Sequence, residues 1–116
     1  MSHYSNYVKE LKDSTVVEDE YGFYQYKLCP QHLFIEELYV DSRYRGFREA
    51  KRYIREMAKI AKDNDYTYLM GAIAINNKNP LKLLSLYLRN NCKLHSTDRN
   101  YIYLTINIED AEALEA

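Results

Sequence analysis

The chain has 116 residues, a formal net charge of -1 at pH 7 and a hydrophobic fraction of 47%. This length suits one domain, and we expect a single domain over residues 1–116, with its core at about 16–108 and an acidic tail at 109–116. The balanced charge disfavours nucleic acid and anionic membranes as partners. No hydrophobic run reaches the roughly 20 residues that are needed to span a bilayer.

Cysteine and histidine usage argues against a disulfide-bonded secreted protein and against a metalloprotein. Cys29 and Cys92 form no CxxC pair and no signal peptide precedes them, which predicts a reducing, cytoplasmic setting. His3, His32 and His95 are too scattered along the chain for a metal-ligand pattern, so we expect no metal site.

The first part of the chain predicts a helix followed by an antiparallel meander. Hydrophobic residues recur at helical spacing over residues 3–12. Residues 15–28 predict two strands joined by an acidic turn near Gly22. Residues 29–32 predict a turn, and residues 33–40 predict a buried strand. Because that third strand is hydrophobic on both faces, we expect its two glutamates to face opposite sides.

The rest of the chain predicts a parallel crossover and a second helix. Residues 50–62 place a hydrophobic face opposite a basic one, as in an amphipathic helix that lies on a sheet. Residues 66–75 predict a strand in which Gly71 marks a bulge or a close backbone approach. Strand, helix and strand in succession imply a parallel crossover. A helix that begins at Pro80, a last strand at 101–108 and a frayed or disordered tail complete the order.

Tyrosine dominates the aromatic content of the chain. There are 13 tyrosines, three phenylalanines and no tryptophan. A buried tyrosine needs a hydrogen-bond partner for its hydroxyl or a route to solvent. We therefore expect a core in which several aromatic side chains carry polar contacts.

A basic loop with a glycine joins the third strand to the amphipathic helix. Its charged and flexible residues are Arg43, Arg45, Gly46 and Arg48. A helix N-terminus offers unpaired backbone N–H groups and the positive end of the helix dipole. The loop is therefore predicted to bind an anion, and its arginines, together with Arg52 on the helix, are candidates for contacting phosphate groups.

This strand, loop and helix resemble motif A of the GNAT superfamily of acyl-CoA N-acyltransferases. In that family the strand ends in a loop of pattern Q/R-x-x-G-x-G/A, whose backbone amides hold the pyrophosphate of coenzyme A. Residues 45–50 match its first and last positions, and Arg48 replaces the inner glycine. The resemblance covers about residues 16–108 and implies an α/β GNAT fold, a mixed and mostly antiparallel sheet flanked by helices. The order of elements is similar to that of short GNAT-like proteins of tailed bacteriophages.

The resemblance also implies acetyl-CoA as cofactor and a set of residues that bind it. In the family, two neighbouring parallel strands splay apart, and the slot between them accepts the pantetheine arm against strand backbone. The residues implied in cofactor binding are Leu38, Tyr39, Val40, Arg43, Arg45, Gly46, Phe47, Arg48, Glu49, Ala50 and Asn79.

Candidate catalytic residues follow from the same resemblance. Tyr87 occupies the position of the tyrosine that protonates the departing coenzyme A thiolate, and a core tyrosine is the alternative interpretation. Asn91 and Cys92 replace a Gly-Phe pair, and asparagine tolerates the left-handed conformation that the glycine would adopt. Glu36 or Glu37 could take the proton from an acceptor ammonium, or could pair with a basic neighbour.

Two functions from different classes are open at this point. The first is an acetyl-CoA-dependent N-acetyltransferase that acts on a primary amine of a small molecule or protein by direct attack, without a covalent acyl-enzyme. The second is a catalytically inactive GNAT-shaped module, for example a phage-encoded one, that binds a protein partner; Arg48 in the glycine position points that way. Nucleic-acid binding by the basic helix is a weaker third hypothesis, and a tyrosine-rich strand edge would allow a homodimer.

Overall fold

The computed structural model describes residues 14–44, 48–76 and 78–114. This part of the chain forms a mixed α/β fold with a six-stranded sheet in the order β1-β2-β3-β4-β6-β5. The strands are β1 (Thr15–Glu18), β2 (Gly22–Leu28), β3 (Leu33–Val40), β4 (Tyr68–Ala74), β5 (Lys93–Thr97) and β6 (Tyr101–Asn107). The helix predicted over residues 3–12 lies outside the described residues.

The first three strands form the predicted antiparallel meander. β1 pairs with β2 and β2 with β3, both antiparallel. The turn before β3 is closed by the Cys29 N–H, which donates to the His32 carbonyl at 2.9 Å. β3 then pairs with β4 in parallel, so the crossover predicted from the strand, helix and strand order is confirmed.

Three helices accompany the sheet in the described residues, and a short 3-10 turn (Ser42–Tyr44) follows β3. The helices are α1 (Arg48–Asp63), α2 (Pro80–Arg89) and α3 (Ile108–Glu112). α1 buries Tyr53, Ile54, Met57, Ala58 and Ala61, the hydrophobic face that the 3.6-residue period predicted. None of these helices combines the length and hydrophobicity needed to cross a membrane.

The core lies between α1 and one face of the sheet. It joins the buried face of α1 to Leu33 of β3, Leu69 of β4 and Ile106 of β6, each almost fully buried. The predicted polar contacts of core tyrosines are present. Tyr24 donates its hydroxyl to Glu56 at 3.1 Å, and Tyr53 donates to Asp19 at 2.6 Å.

Two sequence predictions need correction at the C-terminal end of the chain. β5 was not predicted, because all five of its residues are exposed and it therefore carries no alternation of buried and exposed positions. The tail does form a helix, but α3 packs instead of fraying, since Ile108, Ala111 and Leu114 are buried against the core. Arg55 of α1 anchors this end by donating to the Leu114 carbonyl at 2.6 Å.

At Gly22 the β2 backbone lies close to the backbone of β3. A Cβ atom added there would stand 1.9 Å from the Tyr39 carbonyl oxygen and 2.9 Å from the Val40 Cα. Neither atom can move without displacing β3. The glycine therefore fixes how the hairpin enters the sheet.

We expect Gly22→Ala to lower the free energy of unfolding by about 2 kcal/mol, within the usual range for overpacking. Gly71→Ala is the matched control, because a Cβ at Gly71 has no atom within 4 Å. That control should change the free energy of unfolding by less than about 1 kcal/mol. Urea unfolding of both variants measures this, and equal losses would contradict the close approach at Gly22.

Candidate active site

The parallel pair of strands separates part-way along its length. Three residue pairs connect β3 and β4, namely Leu33 with Leu69, Phe34 with Met70 and Ile35 with Gly71. Beyond Ile35, β3 continues for five residues to Val40, and β4 continues past Gly71 to Ala74. Over these residues the two strands no longer pair with each other. The two strands therefore diverge, as the sequence resemblance implied.

A cavity of about 760 Å³ occupies this divergence. Both strands line it, and α1 contributes Ile54 while α2 contributes Leu83 and Tyr87. On the far side it is bounded by β6, including Tyr103. The five elements β3, β4, β6, α1 and α2 thus converge on one opening in the sheet.

The register of β2 and β3 determines which backbone groups of β3 face this opening. The Asp41 N–H donates to the Tyr21 carbonyl at 2.7 Å, so the backbone groups of Asp41 point toward β2. Successive residues of a strand alternate in hydrogen-bonding direction. The backbone groups of Leu38 and Val40 therefore point toward the side from which β4 has separated, whereas those of Tyr39 point toward β2.

A bulge brings both candidate carboxylates to the cavity. Gln25 pairs with Glu37 and Tyr26 pairs with Ile35, so Glu36 is the extra residue. Ile35 and Leu38 both pack toward the α1 side, and Glu36 and Glu37 both line the cavity. The prediction that the two glutamates face opposite sides is therefore wrong, because the bulge interrupts the alternation.

Glu36 is held by neutral donors. The Ser14 hydroxyl donates to Glu36 Oε1, and Gln25 Nε2 lies 3.5 Å from the same oxygen. Ser14 and Gln25 are both buried polar residues. The Glu36 carboxylate is thus fixed in position without an ion pair among the described residues, and the predicted basic neighbour is absent from that set.

Tyr87 lines the same cavity near the end of α2. Its carbonyl accepts from the Asn90 N–H at 3.0 Å and from the Cys92 N–H at 3.1 Å, which closes the helix. Asn91 has φ 68°, so asparagine does take the left-handed position expected of it. Burial, and to a lesser extent Cys92, raises the pKa of Tyr87, so the hydroxyl keeps its proton at neutral pH.

Cys92 shares the cavity wall with Tyr87 but is not a reactive nucleophile. Burial raises the pKa of its thiol to about 11. The thiolate is the nucleophilic form of cysteine, and little of it exists at neutral pH with such a pKa. The expected direct attack, without a covalent acyl-enzyme, is consistent with that environment.

The loop between β3 and α1 is described only in part. Arg45, Gly46 and Phe47 lie outside the described residues. Arg43 is bound to Asp41 by a 3.1 Å ion pair but keeps 72% of its side chain exposed. Arg48 is exposed at the first position of α1.

The remaining candidates for cofactor binding differ in their surroundings. Tyr39 is 42% exposed and packs against Phe23, whereas Val40 is 8% exposed and belongs to the core. Ala50 packs partly against that core. Asn79 is the N-cap residue of α2, and its side chain makes no capping hydrogen bond.

Arg52 is enclosed by three carboxylates and does not fit the phosphate-binding role suggested for it. Its guanidinium contacts Asp19 and Glu56 at 2.7 Å each and Glu49 at 2.9 Å. All three of its side-chain nitrogens are engaged. Glu49, also a cofactor candidate, is thereby committed to an ion pair. This cluster ties the turn between β1 and β2 to α1.

Asp19 gives this cluster a pH dependence. Burial alone would raise the pKa of Asp19, but hydrogen bonds from Tyr53 and Arg52 outweigh it and hold the pKa at about 2. A carboxyl whose pKa is lowered by folding stabilises the protein fully above its ordinary pKa of 3.8. That contribution is lost as the pH falls toward 2.

We therefore expect Asp19→Asn to be less stable than the wild-type protein at pH 7 and to show a shallower loss of stability between about pH 4 and pH 2. Tyr53→Phe, which removes one donor to Asp19, should reproduce part of this change. Urea unfolding at several pH values measures the slope. Parallel curves for all three proteins would contradict the role of Asp19.

Two residues at this site were not assigned to it from the sequence. Gln25 is 5% exposed and lines the cavity, but one polar residue between two tyrosines carries no pattern of its own. The sequence did indicate Gly71, but as the position of a bulge or a close backbone approach. Its pairing with β6 is regular, so it is not a bulge, and it is the last β4 residue paired with β3.

Comparison with known proteins identifies the family. The family model described as "Acetyltransferase (GNAT) family" matches residues 10–86, which is well over half of the chain. The chain belongs to the GNAT acetyltransferase family. The predicted family and fold are both confirmed. A search of curated protein sequences finds no match to this GNAT chain.

Solved structures share the GNAT fold of this chain at low sequence identity. Nourseothricin acetyltransferase is similar with a TM-score of 0.69 and 16% identity, over 84% of this chain and 66% of that one. The PaiA N-acetyltransferase of Thermoplasma acidophilum, a complex with coenzyme A, has a TM-score of 0.66 and 18% identity, over 86% and 65%. A GNAT family acetyltransferase of Elizabethkingia anophelis with acetyl-CoA bound has a TM-score of 0.64 and 13% identity, over 90% and 86%.

Proposed function

We propose that this GNAT protein is an N-acetyltransferase that uses acetyl-CoA to acetylate a primary amine. The observation that carries the proposal is the separation of β3 and β4 beyond Ile35 and Gly71, with a cavity of about 760 Å³ between them. Family membership and the coenzyme A ligands of similar structures support the same cofactor.

The residues beside the opening fit the long, narrow arm of acetyl-CoA. A Cβ at Gly71 would meet no atom within 4 Å, so there is free space directly beside the β4 backbone. Leu38 lines the same opening and turns its backbone groups toward it. A strand with such groups can hold an amide-containing chain in the way that a neighbouring strand would. The phosphates would then lie toward the N-terminus of α1, near Arg43 and Arg48.

The chemistry assigned to the chain is proton transfer and positioning. Acetyl-CoA supplies an activated acetyl group, and the acceptor nitrogen attacks it directly. Tyr87 donates its hydroxyl proton to the departing thiolate, consistent with a pKa that burial keeps above its usual range. Glu36 or Glu37, directly or through water, accepts the proton that the acceptor ammonium must lose before attack. No acyl group is carried on the protein.

Acetylation of amines, followed as thiol release from acetyl-CoA and as a 42 Da mass gain of the product, tests this proposal. We expect release that depends on both the amine and the protein. Binding of acetyl-CoA without thiol release on any amine would favour the alternative, an inactive GNAT-shaped binding module. Absence of binding as well would exclude a cofactor role for the cavity.

A further inference from the structure

The charge of the cavity is entirely negative among the described residues that line it. Glu36 and Glu37 are its charged side chains, and no lysine, arginine or histidine of the described segments joins them. The surrounding surface is hydrophobic or aromatic, with Phe34, Met70 and Ala72 on the neighbouring strands. A ligand of this pocket therefore meets two carboxylates beside a hydrophobic wall.

Neither carboxylate is neutralised within the described part of the chain. Glu37 makes no ion pair or side-chain hydrogen bond with any described residue. Glu36 accepts only from the neutral donors Ser14 and Gln25. Two adjacent carboxylates without a cation repel each other, and a positively charged ligand relieves that repulsion.

Gln25 adds a second, independent indication of a polar ligand. The residue is 5% exposed, and its Nε2 lies 3.5 Å from Glu36 Oε1. Its Oε1 has no partner among the described residues. Every fully buried side-chain nitrogen or oxygen in those residues has a hydrogen-bond partner, so this Oε1 must be accessible to solvent. Gln25 lines the cavity, and its Oε1 is accessible to solvent. An N–H donor of a ligand is the group that it can bind.

A single amino group leaves part of this negative charge unpaired at the moment of reaction, with the exposed Glu37 carboxylate facing only solvent. The attacking nitrogen must be neutral, so its proton moves to one carboxylate or to water. One negative charge then remains in the cavity without a counter-charge if a carboxylate takes the proton, and two remain if water takes it. A second positive charge on the acceptor, separated from the first by a hydrophobic chain, would pair with that carboxylate and pack against the hydrophobic wall.

We propose that the acceptor is an aliphatic amine with a second positive charge, of the diamine or polyamine class, and that Glu37 binds its distal ammonium while Gln25 accepts from its N–H groups. This inference rests on the proposed N-acetyltransferase function. Glu37 then determines specificity through binding. This binding role differs from that of the general base. The general base accepts a proton from every amine, whatever charge the amine carries at its far end.

The test compares three acceptors of equal length: 1,4-diaminobutane, 4-aminobutan-1-ol and 4-aminobutanoate. They carry a cation, a neutral hydroxyl and an anion at the far end. We expect kcat/KM for the diamine to exceed that for the amino alcohol by about tenfold or more, which corresponds to about 1.4 kcal/mol of pairing energy. The amino acid should be the poorest acceptor. Calorimetric binding of each compound to the protein saturated with coenzyme A should give the same order.

Glu37→Gln assigns the preference to its residue. The ratio of kcat/KM for diamine to amino alcohol should fall toward one in this variant, whatever happens to the absolute rates. Glu109→Gln is the matched control, because it removes an exposed carboxylate on α3 that does not line the cavity, and its ratio should stay at the wild-type value. A loss of activity on both acceptors by the same factor would instead make Glu37 a general base and overturn the binding role.

The outcomes separate this inference from the proposed function. Acetylation of all three amines at similar rates, or a diamine preference unchanged in Glu37→Gln, would overturn the inference and leave the N-acetyltransferase standing. Acetylation of none of them, together with no calorimetric binding of acetyl-CoA, would overturn both. Binding of acetyl-CoA with no amine binding in calorimetry would reject the diamine class alone.

Discussion

Gly71→Val should weaken acetyl-CoA binding by about tenfold to a hundredfold while the protein stays folded. The free space at this position, with no atom within 4 Å of an added Cβ, lies where β3 and β4 stop pairing. Overfilling a close-fitting site costs about 1–3 kcal/mol, which corresponds to this loss of affinity. Valine suits a strand, and Gly71 has no positive φ, so the backbone accepts the change.

Calorimetric titration with acetyl-CoA measures the effect, and thermal unfolding verifies the fold. Gly71→Ala should give an intermediate affinity, because its side chain fills less of the opening. A valine variant that binds acetyl-CoA as tightly as the wild-type protein would show that the cofactor does not pass beside Gly71.

Tyr87→Phe should lower kcat by about a hundredfold or more, with the dissociation constant of acetyl-CoA changed by less than about threefold. General acids contribute about 10²–10⁴ to rates, and phenylalanine keeps the ring without the hydroxyl. The pKa of Tyr87 is raised mainly by burial, so the hydroxyl is a proton donor throughout the neutral range.

Tyr66→Phe is the control for the loss of a tyrosine hydroxyl. Tyr66 donates to the Cys29 carbonyl at 2.5 Å and does not line the cavity. This variant should lose about 1 kcal/mol of stability and keep its kcat. Steady-state kinetics of both variants test the assignment. If Tyr87→Phe kept the wild-type kcat, Tyr87 would be a core tyrosine, the alternative that the sequence left open.

The order of the elements followed from hydrophobic periodicity because most of them are half buried. α1 was predictable from the spacing of Tyr53, Ile54 and Met57, and α2 from Pro80 at its start. β5 was not, because an exposed edge strand needs no hydrophobic face. The packing of α3 depends on Ile108, Ala111 and Leu114 meeting a helix nearly fifty residues earlier, which no local pattern records.

The candidate site was predictable only where local sequence determines it. The β3 strand, the position of Tyr87 and the left-handed Asn91 all follow from motifs of a few residues. The bulge at Glu36 depends on the register with β2, so the shared orientation of Glu36 and Glu37 could not be read from alternation. Likewise, the enclosure of Arg52 depends on Asp19, which is brought near by the hairpin turn.

We propose that acetyl-CoA binds between the separating ends of β3 and β4. Backbone amide chemical shifts of the ¹⁵N-labelled protein, followed during titration with acetyl-CoA, test it most directly. We expect the largest changes at Leu38, Val40 and Gly71, and small ones in β1 and β5. Changes confined to the basic surface of α1 around Arg55 and Lys59, or no changes at all, would contradict it.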